Sequence, residues 1–206
     1  MAIDFEDPVY WRQRFQSETA FEWLTNSSTF INILTPYLDR IDPQAAEILH
    51  LGSGTSDFHN HLRKRGLLNV TNIDYEPLAL ERGQQLERAA FGDIKTKYRV
   101  ADVTKLELEP EQHSKCQLVI DKSTIDAVSC GGDEAVIAMA EGIYECLDHK
   151  NGVWISMSYS DSRFDMARVK ELFEVDVVSK VPTKKRIETD PDIWHWCYLL
   201  KPKTQR

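Results

Sequence analysis

Apolar and polar positions along this chain change period from block to block. Short apolar runs at Ile48–Leu51, Val70–Asp74, Lys97–Val100, 116–121 and Val153–Ser158 read as strands. Between them apolar residues recur at helical spacing, which predicts helices over 57–66, 78–91, 134–147 and 164–173. The helix at 134–147 carries Val136, Ile137, Ala140, Ile143, Tyr144 and Leu147 on its inner face. Two further strands, 175–181 and 193–200, follow with no clear helix between them. Strands alternating with helices predict an α/β fold: a doubly wound, mainly parallel seven-stranded sheet, Rossmann-like, closed by a terminal antiparallel hairpin. The acidic stretch 106–114 reads as a loop, and Lys184, Lys185 and Arg186 as a solvated turn inside the hairpin.

Residues 1–46 have a different texture. Asp7-Pro8 suits a helix start, with Asp as the cap and Pro in the first turn. Tyr10, Trp11, Phe15, Phe21 and Trp23 then crowd a short stretch, either sealing an edge of the core or, with Arg14, forming a lid over a bound ligand. A helix follows over 28–38, where Phe30, Ile31, Leu34 and Leu38 fall at helical spacing. The expected organisation is one domain over 1–206, with a helical lid segment at 1–46 and a catalytic core at 47–206.

The first predicted strand runs into Gly52-Ser53-Gly54-Thr55-Ser56-Asp57, a tight turn before a polar helix start. Glycine there lets backbone N–H groups approach a ligand that a side chain would hold off. Asp74 closes the second strand, 20 residues beyond Gly54, where an acid in a doubly wound fold accepts hydrogen bonds from ribose hydroxyls. Asp102, followed by Val103, closes the third and suits an adenine amino group; capping of the next turn is the plainer role for it. Polar Ser56 and Asp57 stand where a pyrophosphate-binding turn has its third small residue. S-adenosylmethionine, with a ribose, an adenine and an amino-acid tail but no pyrophosphate, fits the order of these residues better than a dinucleotide.

Composition narrows the partners. The chain has 206 residues, 42% of them hydrophobic, and a formal net charge of −8, which disfavours a nucleic-acid backbone. Cys116, Cys130, Cys146 and Cys197 form no CxxC pair and have no histidine at metal-ligand spacing, so reduced thiols and no metal site are expected. Asp4, Glu6 and Asp7 replace the basic start of a targeting peptide, and no apolar run nears ~20 residues. A cytoplasmic protein with no membrane partner is expected; its oligomeric state is not legible.

The motifs resemble those of the seven-stranded S-adenosylmethionine-dependent methyltransferases, in particular the elongation factor 1-alpha lysine methyltransferase group. The resemblance rests on Pro8-Val9-Tyr10-Trp11-x-x-Arg14-Phe15, Phe21-Glu22-Trp23, Leu51-Gly52-Ser53-Gly54-Thr55-Ser56, Asn69 to Tyr75, Ala101-Asp102-Val103-Thr104 and Asp121 to Ala127. It implies that Trp11, Phe15, Trp23 and Gly52 contact the cofactor, as do Asp74, Tyr75, Asp102, Val103 and Lys122. Ser53, Gly54, Arg14 and Asp121 join that set as neighbours on the same motifs. Ser53 stands where that group usually has Cys, Phe15 where it has Tyr, and Ser123 where it has Gly.

The resemblance implies methyl transfer to a protein lysine. Such an amine must lose its proton first: at a reference pKa of ~10.4 about one in 2,500 is neutral at pH 7. Asp121, at the carboxyl end of the fourth strand, is the candidate to orient it, whereas Asp126 reads as a helix cap. Lys122 is the other candidate catalytic group, and its backbone matters more than its ammonium, because a cation facing a sulfonium is unfavourable. Tyr159 and His195 read as packing residues. A small-molecule O-, N- or S-methyltransferase and a donor-binding regulatory subunit are the alternatives. An enclosed apolar acceptor cavity favours the small molecule, and an open groove favours protein.

Overall fold

The computed structural model describes residues 5, 7–106, 115–183, 185 and 187–204. The acidic residues Asp4 and Glu6, most of the 106–114 loop, Lys184 and Arg186 lie outside that set.

Asp7 accepts a hydrogen bond from Val9 N and starts α1 (Pro8–Ser17), and Asn26 caps α2 (Ser27–Leu38) through Thr29 N. The remaining elements run β1 (Ile48–Leu51), α3 (Phe58–Lys64), β2 (Val70–Asp74), α4 (Pro77–Phe91), β3 (Lys97–Val100), β4 (Leu118–Lys122), α5 (Thr124–Val128), α6 (Asp133–Cys146), β5 (Val153–Ser158), α7 (Ala167–Leu172), β6 (Phe173–Pro182) and β7 (Trp194–Pro202). The seven strands form one sheet in the order β3-β2-β1-β4-β5-β7-β6. β1 to β5 pair in parallel and β7 runs antiparallel to both β5 and β6.

Strand periodicity of two divides the core between the two faces. Ile48, Leu118, Ile120 and Ile155 pack with Phe30 and Leu34 of α2 and with Phe58 and Leu62 of α3. Leu49, Leu51, Val119 and Trp154 pack with Val136, Met139 and Ile143 of α6 and with Leu172 of α7. Helix α2 therefore belongs to the core, and the part of 1–46 that lies over the strand ends stops near Thr25. Helix α7 is shorter than the periodicity at 164–173 predicts. Phe164 sits in the preceding turn, buried edge-on against Trp154 and Tyr198 at 5.0 Å from each, and contributes an apolar position without being helical.

The chain leaves β1 toward β2 and β3, then returns to place β4 on the other side of β1, with Leu51 opposite Asp121. That reversal opens a crevice at the carboxyl ends of β1 and β4, where open α/β sheets take their ligands. Among the described residues no helix is long and apolar enough to cross a membrane.

Candidate active site

The crevice is a cavity of about 790 Å³, within the ~300–1,000 Å³ usual for small-ligand sites. Its floor is the glycine turn, where Gly52 and Gly54 have φ of +57° and +52°, a region that favours glycine. The two serve different ends. A Cβ on Gly52 would collide with Thr124, whose hydroxyl donates to Leu51 O at 2.9 Å, so Gly52 is required by the seating of α5. A Cβ on Gly54 would meet nothing nearer than Gly52 O at 4.0 Å, so the open space beside it is the cavity that Gly54 lines.

Gly54 N donates to Asp74 Oδ2 at 2.9 Å, and Glu76 N donates to Asp74 Oδ1 at 3.0 Å. This ties the first turn to the end of β2. Burial pushes Asp74 up to about 6, against the pull of those two N–H groups. Tyr75 follows on the cavity wall. Asp102 lines the wall and also caps its own turn, accepting from Thr104 N at 2.9 Å; Val103 beside it is buried. The carboxylate therefore performs the plainer of its two expected roles while standing where the other would need it.

The roof comes from α1 and residues 18–25. Trp11 and Phe15 stack at 5.5 Å, Trp11 also meets Trp23 at 6.0 Å, and all three line the cavity. Arg14 does not line it. Its guanidinium lies over Phe21 and Trp23 at 4.7 and 4.8 Å and bonds Glu18 and the Tyr10 hydroxyl, bracing the roof from outside. Trp11 and Phe15, four residues apart on α1, take the cavity side, and Arg14, about 100° round the helix from Phe15, stands on the flank of that face.

Lys122 holds this roof down. Its ammonium donates to Glu22 Oε2 at 2.5 Å, to Trp23 O at 2.9 Å and to Thr25 O at 3.0 Å, which uses all three of its protons. Glu22 Oε1 accepts from Ser27 and Ser56 at 2.6 and 2.9 Å, and Glu18 accepts from Thr55 at 2.5 Å. Burial lowers the Lys122 pKa, while Glu22 opposes the shift. The ammonium thus points at the roof and away from the cavity, with no vacancy for a substrate proton.

Asp121 is also placed differently from the expectation. Its side chain is 0% exposed, accepting from Trp154 Nε1 at 2.8 Å and Ile125 N at 3.2 Å, and burial pushes it up to about 7. Alternation along β4 turns it into the core beneath α5, so it neither orients an acceptor nor lines the cavity. Asp126 does line it, and it caps nothing in α5. One oxygen accepts from Ser158 and from Arg163 Nη2 at 3.1 Å, and the other from Tyr159 N and Ser123 Oγ, each at 3.1 Å. Ser123 has φ +69°, the left-handed conformation for which glycine is the easy choice. Its hydroxyl bond to Asp126 helps hold it there.

Tyr159 is 59% exposed at the cavity wall, and is no packing residue. His195 stands outside the cavity, where burial lowers its pKa. Sequence reasoning missed Glu18, Glu22 and His50. An acid between Phe21 and Trp23 carries no mark of a lysine a hundred positions away.

The brought-together set is thus Trp11, Phe15 and Trp23 above, Gly52, Ser53 and Gly54 below, with Asp74, Tyr75, Asp102, Val103 and Lys122 around the wall. These residues fit a donor bearing a ribose, an adenine and a zwitterionic tail: buried carboxylate at the ribose position, open glycine backbone, and aromatic cover.

A family model described as "Methyltransferase domain" matches residues 49–131. A Neurospora crassa protein named "Methyltransferase srdJ" is 55% identical over 201 residues, covering 97% of this chain and 85% of its own. The human "EEF1A lysine methyltransferase 2" is 33% identical over 136 residues, covering 63% of this chain and 55% of its own, so the chain spans about half the length of that relative. Among solved structures, magnesium protoporphyrin IX methyltransferase from Synechocystis PCC 6803 with bound SAM superposes with a TM-score of 0.68 at 13% identity, covering 97% of this chain and 98% of its own.

Proposed function

We propose that this chain, which belongs to the class I S-adenosylmethionine-dependent methyltransferases, methylates a small apolar acceptor that enters the cavity beneath the aromatic roof. The donor, S-adenosylmethionine, supplies a methyl group on a sulfonium centre. Transfer is an in-line displacement, so alignment and exclusion of water are the main contributions of the protein. Asp74 would hold the ribose, Asp102 and Val103 the adenine, and Gly52 to Gly54 the amino-acid tail. Trp11, Phe15 and Trp23 would close over both ligands.

The observation that carries the acceptor class is the state of the acids on the acceptor side. Asp126 is matched by Arg163 and Ser158, and Glu18 by Arg14 and Thr55. Neither is free to draw in an ammonium or take its proton, while Phe21, Trp23 and Tyr159 offer apolar surface. A neutral nucleophile on an apolar molecule fits that environment better than a lysine.

Lysine methylation of a protein is the second reading, favoured by the 33% identity with a relative named for that activity. The aromatic rim formed by Phe21, Tyr75 and Tyr159 is exposed and would face such a partner. Radiolabelled methyl transfer into a whole-cell extract, separated into small-molecule and protein fractions, decides between them. Label in the small-molecule fraction is expected; label in a single protein band would overturn the first reading in favour of the second.

A further inference from the structure

His50 of β1 lines the cavity beside the glycine turn, yet it is only 3% exposed and has one hydrogen-bond partner, Asn72 of β2, at 3.0 Å from Nδ1. The direction of that bond is set from the β3 edge of the sheet. Glu87 of α4 is buried and ionised; burial works against its charge, but hydrogen bonds from Lys95, Thr96 and Tyr98 outweigh it and hold the carboxyl at about 2. The Thr96 hydroxyl donates its one proton to Glu87 Oε2 at 2.7 Å, so toward Asn72 it can only accept. Asn72 Nδ2 donates to Thr96 Oγ1 at 3.1 Å and to Lys97 O at 3.3 Å, which uses both amide protons. Asn72 Oδ1 therefore faces His50 and must accept, which puts the proton on His50 Nδ1. The Nε2 atom is left with a lone pair and no partner.

Resting on the reading that the donor occupies this cavity, we propose that Glu87, Thr96 and Asn72 form a directional relay holding His50 in one tautomer, so that His50 Nε2 accepts a hydrogen bond from the cationic amine of the donor's amino-acid tail. The acceptor is neutral: Lys122 and His59 both oppose protonation of His50, so the imidazole carries no charge that would repel the amine. Burial pushes the imidazole itself down to about 3, so it stays neutral across the physiological range. Asn72 and Thr96 are positioning residues, acting through His50 without touching the ligand.

The experiment is a calorimetric cycle with S-adenosylhomocysteine and its analogue lacking the α-amino group, titrated into the wild-type chain and into His50→Phe. In the wild type, loss of the amine should weaken binding about 10- to 100-fold, the range of a hydrogen bond to a charged group. In His50→Phe the two ligands should bind within about 2-fold of each other. Retention of the full difference in the variant would overturn the inference while leaving the donor site intact. Failure of S-adenosylhomocysteine itself to bind the wild-type chain would overturn both.

A second measurement needs no variant. In ¹⁵N spectra of the wild-type imidazole, His50 should show a protonated Nδ1 and a bare Nε2, with Nε2 shifting on addition of S-adenosylhomocysteine and not of the analogue. A proton on Nε2 in the free protein would overturn the relay.

Discussion

Two ion pairs, one buried and one with its acid partly exposed, serve different parts of this molecule. Arg63 of α3 meets Glu87 of α4 at 2.6 Å, with side chains 7% and 0% exposed, and Glu87 is further saturated by the backbone and hydroxyl groups leading into β3. Every partner there belongs to α3, α4, β3 or the short connection between α4 and β3. Lys122 meets Glu22 at 2.5 Å, and its remaining bonds go to backbone carbonyls of the segment above the cavity. The first pair joins parts of the core; the second joins the core to the roof. Burial of a charge pair is weak evidence of stabilisation, and what the pair connects decides what its loss would do.

The largest expected effect concerns a third carboxylate, buried and with no cation. Asp74→Ala removes the acceptor expected at the ribose and should abolish S-adenosylhomocysteine binding by calorimetry, while the chain still melts cooperatively. Unchanged affinity would remove the cavity from the donor's path. Next, Arg63→Met strands an ionised Glu87 and should cost about 3 kcal/mol in denaturant unfolding, with donor affinity kept in the folded fraction. Lys122→Met should do the reverse, weakening S-adenosylhomocysteine binding about 10-fold through a loosened roof while shifting unfolding by under about 1 kcal/mol. Equal losses of stability in the two variants would make the pairs one kind after all.

The smallest effect is read in pH. Asp121 and Asp74 are held above the usual carboxylate range, at about 7 and about 6, so the folded state favours their protonated forms. Stability from these groups is present at low pH and declines as pH rises through those values. Glu87, held at about 2, contributes in the opposite sense, and its share is lost as pH falls toward that value. Asp121→Asn should therefore gain on the wild type as pH rises from 5 to 8, measured by melting temperature, whereas Arg63→Met should show no such trend across that window.

Much of the architecture was legible because local patterns carry it. The Asp7-Pro8 start, the apolar runs of the seven strands and the glycine turn all announce themselves within a few residues. The acid closing β2 was readable too, because its distance from the turn is fixed by one strand–helix–strand unit. Asp121 and Lys122 were harder: both stand at the end of β4, and which of them faces the cavity depends on strand phase and on the left-handed bend at Ser123. Motif spacing shows neither. Arg14 and Trp11 were taken as equals on the same motif, and what separates them is the set of partners that draws the guanidinium to Glu18, Tyr10, Phe21 and Trp23. The histidine relay was invisible, since His50, Asn72, Thr96 and Glu87 converge only once three strands and a helix have assembled.

Glu22 and Lys122 lie one hundred residues apart. A ribosome releases Glu22 long before it makes the lysine that will hold it, and several strands of the sheet emerge in between. Closing so long a loop costs entropy before the contact returns any, so while β1 to β3 take shape the aromatic segment has only its nearer bonds to Ser27, Thr55 and Ser56. The last ties of the roof thus come late, and competence to bind the donor arrives only after the middle strand of the sheet has been made.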